Sequence, residues 1–121
     1  MGNAMNSRLI LILCLLFAGC SIVGSDDATR LRVENTSDLN FTSVFVSFPD
    51  AEAEYGAITA GQRSRYRRVD GAYRYGYIEV EAAGETYVLQ PTDFVGETPL
   101  DAGQYTYQLD IVEDNLTLNL K

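Results

Sequence analysis

The 121-residue chain has no His and no Trp, only two Cys, and 9 Lys plus Arg against 17 Asp plus Glu. Each shortage excludes something. Without His, the usual general base at neutral pH and the commonest zinc ligand are missing. With a formal net charge of −8, the chain lacks the basic footprint of a nucleic-acid binder. No clustered Asp-x-Asp-x-Asp calcium loop is present. No two carboxylates are singled out as an acid–base pair. The apolar run Leu9 to Phe17 is too short for a bilayer core of about 30 Å, which takes ~20 apolar residues. What remains is an ordinary globular balance, 46% hydrophobic and 21% charged. That composition fits one packed domain with a targeting segment.

The first twenty residues read as an address. Arg8 supplies a positive start, Leu9 to Phe17 the apolar stretch, and Ala18 and Gly19 the small residues before Cys20. Met5 serves as a start as well as Met1. The segment Phe17-Ala18-Gly19-Cys20 resembles the lipobox of bacterial lipoproteins, with Phe17 where the family prefers an aliphatic residue. The resemblance implies removal of residues 1–19 and acylation of Cys20 by diacylglycerol and a fatty acid. It implies a membrane anchor and no other cofactor. Several acyl chains on one Cys make attachment lasting, since each buried CH₂ contributes about 0.8 kcal/mol. Ser21, rather than Asp, points to the outer membrane and leaves the periplasmic or surface face open. The competing reading is an ordinary secretory signal that happens to end in Cys.

Cleavage changes the cysteine arithmetic. Cys14 goes with the signal and Cys20 is taken by lipid, so no thiol is left for a disulfide. Residues 20–29 then form the lipidated Cys and a small, polar tether. Nine extended residues, Ser21 to Thr29, reach about 30 Å at most. Ser25-Asp26-Asp27 loosely resembles a short acidic surface-export signal of one Gram-negative phylum, and plain solubility of the tether is the preferred account.

Residues 30–121 alternate apolar and polar side chains with turn residues between the runs. The pattern predicts an all-β fold, an immunoglobulin-like antiparallel β-sandwich of seven to eight strands. Leu31 and Val33 face inward on the first strand. Val44, Val46 and Phe48 share one face of the second, with Phe41 and Phe45 on the other. Further runs are Tyr55–Thr59, Arg63–Val69, Tyr73–Ala82, Glu85–Gln90, Gln104–Val112 and Leu116–Leu120. Asp70-Gly71 is a hairpin signal, and Ala83-Gly84 and Glu113-Asp114-Asn115 are turn signals.

The segment Asp101-Ala102-Gly103-Gln104-Tyr105-Thr106-Tyr107 resembles the Asp-x-Gly-x-Tyr-x-Cys motif of immunoglobulin domains. The resemblance makes Tyr105 a tyrosine-corner residue whose hydroxyl bonds back to upstream backbone. Transthyretin-like modules also open a late strand with Gly-x-Tyr, so the strand order stays open. The mature chain as a whole is similar to uncharacterised envelope lipoproteins of Gram-negative bacteria, which bring no activity with them.

Three features are candidates for binding. Arg63, Arg65 and Arg67, followed by Arg68 and Arg74, suit phosphate groups of lipid or glycan, or cross-strand pairing with Glu79 and Glu81. Tyr73, Tyr75 and Tyr77 form a stripe that a regular strand exposes for sugar stacking. A bulge at Gly76 would instead turn Tyr73 and Tyr75 into the core. Phe94 and Val95, in a Pro-bounded loop, either cap one end of the sandwich or contact a protein partner. The sequons at Asn35, Asn40 and Asn115 fit chance in a bacterial chain. The composite expectation is a non-enzymatic outer-membrane lipoprotein for protein binding or envelope assembly. The alternative is a glycan-binding surface lipoprotein using the Tyr stripe and its Arg and Glu neighbours.

Overall fold

The computed structural model describes residues 27–92 and 97–121. Cys20, the signal segment, most of the tether, Phe94 and Val95 lie outside the described residues. Eight strands follow one another: β1 (Thr29–Asn35), β2 (Phe41–Phe48), β3 (Ala51–Glu54), β4 (Arg67–Arg68), β5 (Tyr77–Ala82), β6 (Glu85–Leu89), β7 (Gly103–Val112) and β8 (Asn115–Leu120). They build two four-stranded sheets, ordered β4-β1-β7-β8 and β3-β2-β5-β6. Every pairing is antiparallel except β1 with β7.

Alternation explains the layers. Leu31 and Val33 point inward from β1, and Tyr107 and Leu109 from β7. Val44, Val46 and Phe48 meet them from β2, with Ile78, Val80 and Ala82 from β5. Burying these faces against each other is the main favourable term of the fold. Tyr107 is fully buried, and its ring meets Phe48 edge-on at 6.2 Å. Its hydroxyl donates to the Tyr73 carbonyl, so its polar end is satisfied.

The sandwich architecture is the expected one, and the strand order settles its variant. In an immunoglobulin sandwich the first two strands share a sheet. Here β1 and β2 lie in opposite sheets. The Tyr105 hydroxyl nevertheless donates to the Asp101 carbonyl at 2.8 Å, a tyrosine-corner bond.

Five local expectations need correction. Phe41 is buried with Val44, not opposed to it, because the β2/β5 register shifts between Phe41 and Ser43. Thr42 is the extra residue, and such a bulge switches facing. Tyr55–Thr59 is not a strand; the chain pairs earlier, over β3, and Ile58 makes only an isolated bridge to Phe41. Of Arg63–Val69, only Arg67 and Arg68 form a strand, with an isolated bridge from Arg63 to Glu34. Tyr73–Ala82 is a strand only from Tyr77. Asp70-Gly71 is a turn, but it carries the chain from one sheet to the other rather than joining a hairpin.

The remaining turns obey their chemistry. Ala83 and Gly84 take φ of 52° and 77°, and Glu113 and Asp114 take 51° and 64°. Two positive φ values in a two-residue loop match the right-handed twist of the flanking strands.

One buried polar residue organises an end of the sandwich. Asn35 closes β1 and is fully buried. Its side-chain amide donates to the Leu39 carbonyl at 2.7 Å and the Ile58 carbonyl at 2.9 Å. Its side-chain oxygen accepts from the Ser37 backbone N–H at 2.9 Å and the Ser37 hydroxyl at 2.7 Å. Its backbone N–H donates to the Gln62 carbonyl, and its carbonyl accepts from the Gly61 N–H. Buried and fully bonded, Asn35 is no glycan acceptor. Asn35→Ala leaves several buried groups unpaired and should cost about 3 kcal/mol or more, read as a lowered midpoint in urea unfolding. Gly76 lies against Phe48, and a Cβ there would sit 2.6 Å from the ring. Gly76→Ala is expected to destabilise by about 1–3 kcal/mol in the same assay.

Candidate functional site

The arginine segment lands on the exposed edge of the first sheet, beside β1. Arg30 and Arg32 alternate with inward Leu31 and Val33, so they face out. Arg30 pairs in register with Arg68, and Leu31 with Arg67. Further along, Glu34 bridges to Arg63, and Ser64 is pinned to Val33. The Val33 N–H donates to Ser64 Oγ, and the Ser64 N–H to the Val33 carbonyl. Arg65 and Tyr66 are thus two residues opposite one, Arg32. That two-to-one count is a bulge, which bends the edge and re-aims side chains.

The bulge opens a cleft of about 570 Å³. Arg63, Arg65, Arg67 and Arg68 line it, with Tyr55 and Tyr66. Simple strand alternation does not put the three predicted arginines on one face, because Arg67 is aligned with inward Leu31. The bulge and the sheet edge bring them together instead. Tyr55 stiffens the cleft from below: its hydroxyl donates to the Leu31 carbonyl at 2.8 Å. Burial pushes that hydroxyl's pKa up, with Arg67 opposing, so it stays protonated at ordinary pH.

Four of the arginines already have partners. Arg32 lies 4.6 Å from the Tyr66 ring centroid and donates to Thr106 Oγ1 at 2.9 Å. Arg63 meets Glu34 at 3.2 Å, Arg68 meets Asp70 at 2.8 Å, and Arg30 also interacts. The side chains of Arg65 and Arg67 have no hydrogen-bonded or ion-paired partner among the described residues. Glu79 and Glu81, the partners the sequence offered, lie in the opposite sheet. There they accept from Tyr77 and Ser43.

The two carboxylates on the edge are held ionised. Glu34 is lowered first by the Gln108 side-chain amide, 2.8 Å away, and then by Arg63. Asp70 is lowered first by the Thr29 backbone N–H, 3.0 Å from Oδ1, and then by Arg68.

The predicted Tyr stripe is dispersed. Tyr73 stacks on Phe48 with centroids 6.3 Å apart. The Tyr75 hydroxyl donates to Glu97. Tyr77 stands edge-on to Phe45 on the outer face of the second sheet. Neither a regular strand nor a Gly76 bulge describes the three, since the strand starts only at Tyr77. A second hollow, of about 670 Å³, lies between the free edges of β6 and β8. Leu89, Leu116, Leu118 and Leu120 line it with Tyr75 and Pro91. The sequence carried no signal for it, because sheet order alone makes these edges neighbours.

The outer face of the second sheet has the opposite charge. β2, β3, β5 and β6 contain no Lys or Arg. Glu52 and Glu54 of β3 and Glu79 and Glu81 of β5 alternate with buried neighbours and so face outward.

No protein-family model matches the chain, and no curated protein matches it. Two solved structures share the fold. An NMR structure of a protein from Eubacterium rectale is 13% identical with a TM-score of 0.58, over 78% of this chain and 88% of that one. A crystal structure of a candidate cell adhesion protein from Bacteroides uniformis ATCC 8492 is 11% identical with a TM-score of 0.50. It is matched over 78% of this chain and 49% of its own, so the chain spans about half of that protein.

Acid sensitivity follows from the lowered carboxylates. A carboxylate favoured in the folded state stabilises above its unfolded pKa, and that contribution is lost as pH falls through the lower folded pKa. The thermal midpoint should therefore fall below about pH 4, and Asp70→Asn should make the decline shallower between pH 5 and pH 2. An unchanged slope would show that Asp70 contributes nothing.

Proposed function

We propose that the chain is a lipid-anchored, non-enzymatic protein of the outer membrane. Its β-sandwich is presented to a protein partner or an envelope assembly. The order of charge, apolar run, small residues and Cys20 supports the anchor. The observation that carries the binding role is the separation of charge across the sandwich. Six of the nine basic residues stand on β1 and the segment beside it, while the second sheet's strands carry none. Such a distribution orients an encounter with a charged surface and selects among partners. A cell-adhesion role, the candidate role of the Bacteroides uniformis protein, belongs to the same class of non-catalytic contact. The glycan alternative through Tyr73, Tyr75 and Tyr77 is not favoured, because those rings share no common surface.

Two measurements test this. Mass spectrometry of protein from its native host should show an N-terminal Cys20 bearing diacylglycerol and a fatty acid. A chain with its first twenty positions intact and unacylated would overturn the anchor. Crosslinking on intact membranes followed by pull-down should recover a discrete partner with the native chain. Recovery should drop by about tenfold with Cys20→Ser, which removes the anchor and its effective concentration. Equal recovery from both forms would detach partner binding from anchoring.

A further inference from the structure

We infer that the cleft on the β4–β1 edge is a phosphate-binding site in which Arg65 and Arg67 grip the anion. The inference deepens the binding role proposed above and does not use the lipid anchor. It begins with a cost: Arg30 stands directly opposite Arg68, and like charges opposite each other destabilise a sheet. A chain with 17 acidic residues has ample means to neutralise such a cluster. It uses Glu34 for Arg63 and Asp70 for Arg68. The guanidinium groups of Arg65 and Arg67 stay without a hydrogen-bonded or ion-paired partner among the described residues, although they line the same cleft.

The surroundings of the two are fixed before any ligand arrives. Ser64, just before Arg65, is bonded to both backbone groups of Val33. Tyr66, between the arginines, is covered by the Arg32 guanidinium. Tyr55, behind Arg67, is tied to the Leu31 carbonyl. Walls held this way lose little freedom on binding. Two guanidinium forks offer paired N–H donors, which match the oxygens of a phosphate group. A lone carboxylate uses only one such fork.

The probe is inorganic phosphate, added to the ¹⁵N-labelled chain carrying Cys20→Ser at constant ionic strength. The readout is the Nε–Hε signals of the arginines. Saturable shifts are expected at Arg65 and Arg67, and acetate at equal concentration should produce none. The double variant Arg65→Gln/Arg67→Gln, with an amide spectrum otherwise unchanged, should bind about tenfold more weakly or worse. Arg74→Gln, outside the cleft, should stay within about twofold of the parent. A second arm separates the sources of phosphate, using sedimentation with phosphatidylglycerol vesicles against phosphatidylcholine vesicles. Sedimentation with the anionic vesicles that the double variant loses assigns the group to a lipid headgroup. Phosphate binding without sedimentation assigns it to a free phosphate. Shifts that never saturate, that acetate reproduces, or that survive in the double variant overturn the site. A missing partner in the membrane pull-down overturns the protein-binding role and leaves this result untouched.

Discussion

The saturated hydrogen-bond set of Asn35 is the constraint on which the rest depends. Its side chain joins the end of β1 to the turn at Ser37–Leu39 and to the Ile58 carbonyl. Its backbone holds Gly61 and Gln62. From there the chain has only one short step to Arg63, Ser64 and the edge of the first sheet. The position of the arginine cleft is therefore inherited from a buried amide with no contact with it. Buried polar networks of this kind, when every member is satisfied, fix one arrangement among several that packing alone would allow.

Charge on this molecule follows the sheets. The first sheet's edge gathers the basic residues against their mutual repulsion, and the second sheet's outer strands carry only carboxylates. The apolar cores of both sheets would pack as well with the charges mixed. Nothing in the sandwich itself calls for the separation. The two edge carboxylates, Glu34 and Asp70, moderate the repulsion without cancelling it. They hold Arg63 and Arg68 in place and leave the arginines between them available.

Much of the fold is legible in the chain. Strands β1, β2, β7 and β8 announce themselves through alternation, and the three turn signals fall on turns. The seven-residue motif around Tyr105 correctly yields a tyrosine corner. What cannot be read are the places where one extra residue changes facing. Nothing about Thr42 separates it from an ordinary strand residue, yet it moves Phe41 to the other face. Ser64 and Tyr66 likewise look like strand, because the bulge opposite Arg32 arises from tertiary pairing rather than from local preference. The arginine cluster is plain in the sequence; its company is not. Glu79 and Glu81 are close enough along the chain to suggest themselves as partners, but the Asp70-Gly71 turn sends them to the other sheet. The Tyr stripe fails for a related reason: residues 73–76 serve as a crossing, with Gly76 tucked under Phe48.

The parallel pairing of β1 with β7 sets a timetable for the chain. Thr29 aligns with Gly103 and Asn35 with Leu109, partners more than seventy positions apart. On its other side, among the described residues, β1 meets just the two-residue β4 and the short run at Arg63 and Ser64. Until β7 has emerged, the first strand has almost nothing to pair with, and half of the sandwich cannot close. Folds dominated by such distant pairings form late and comparatively slowly. A nascent chain therefore keeps its first strand open until β7 has been made.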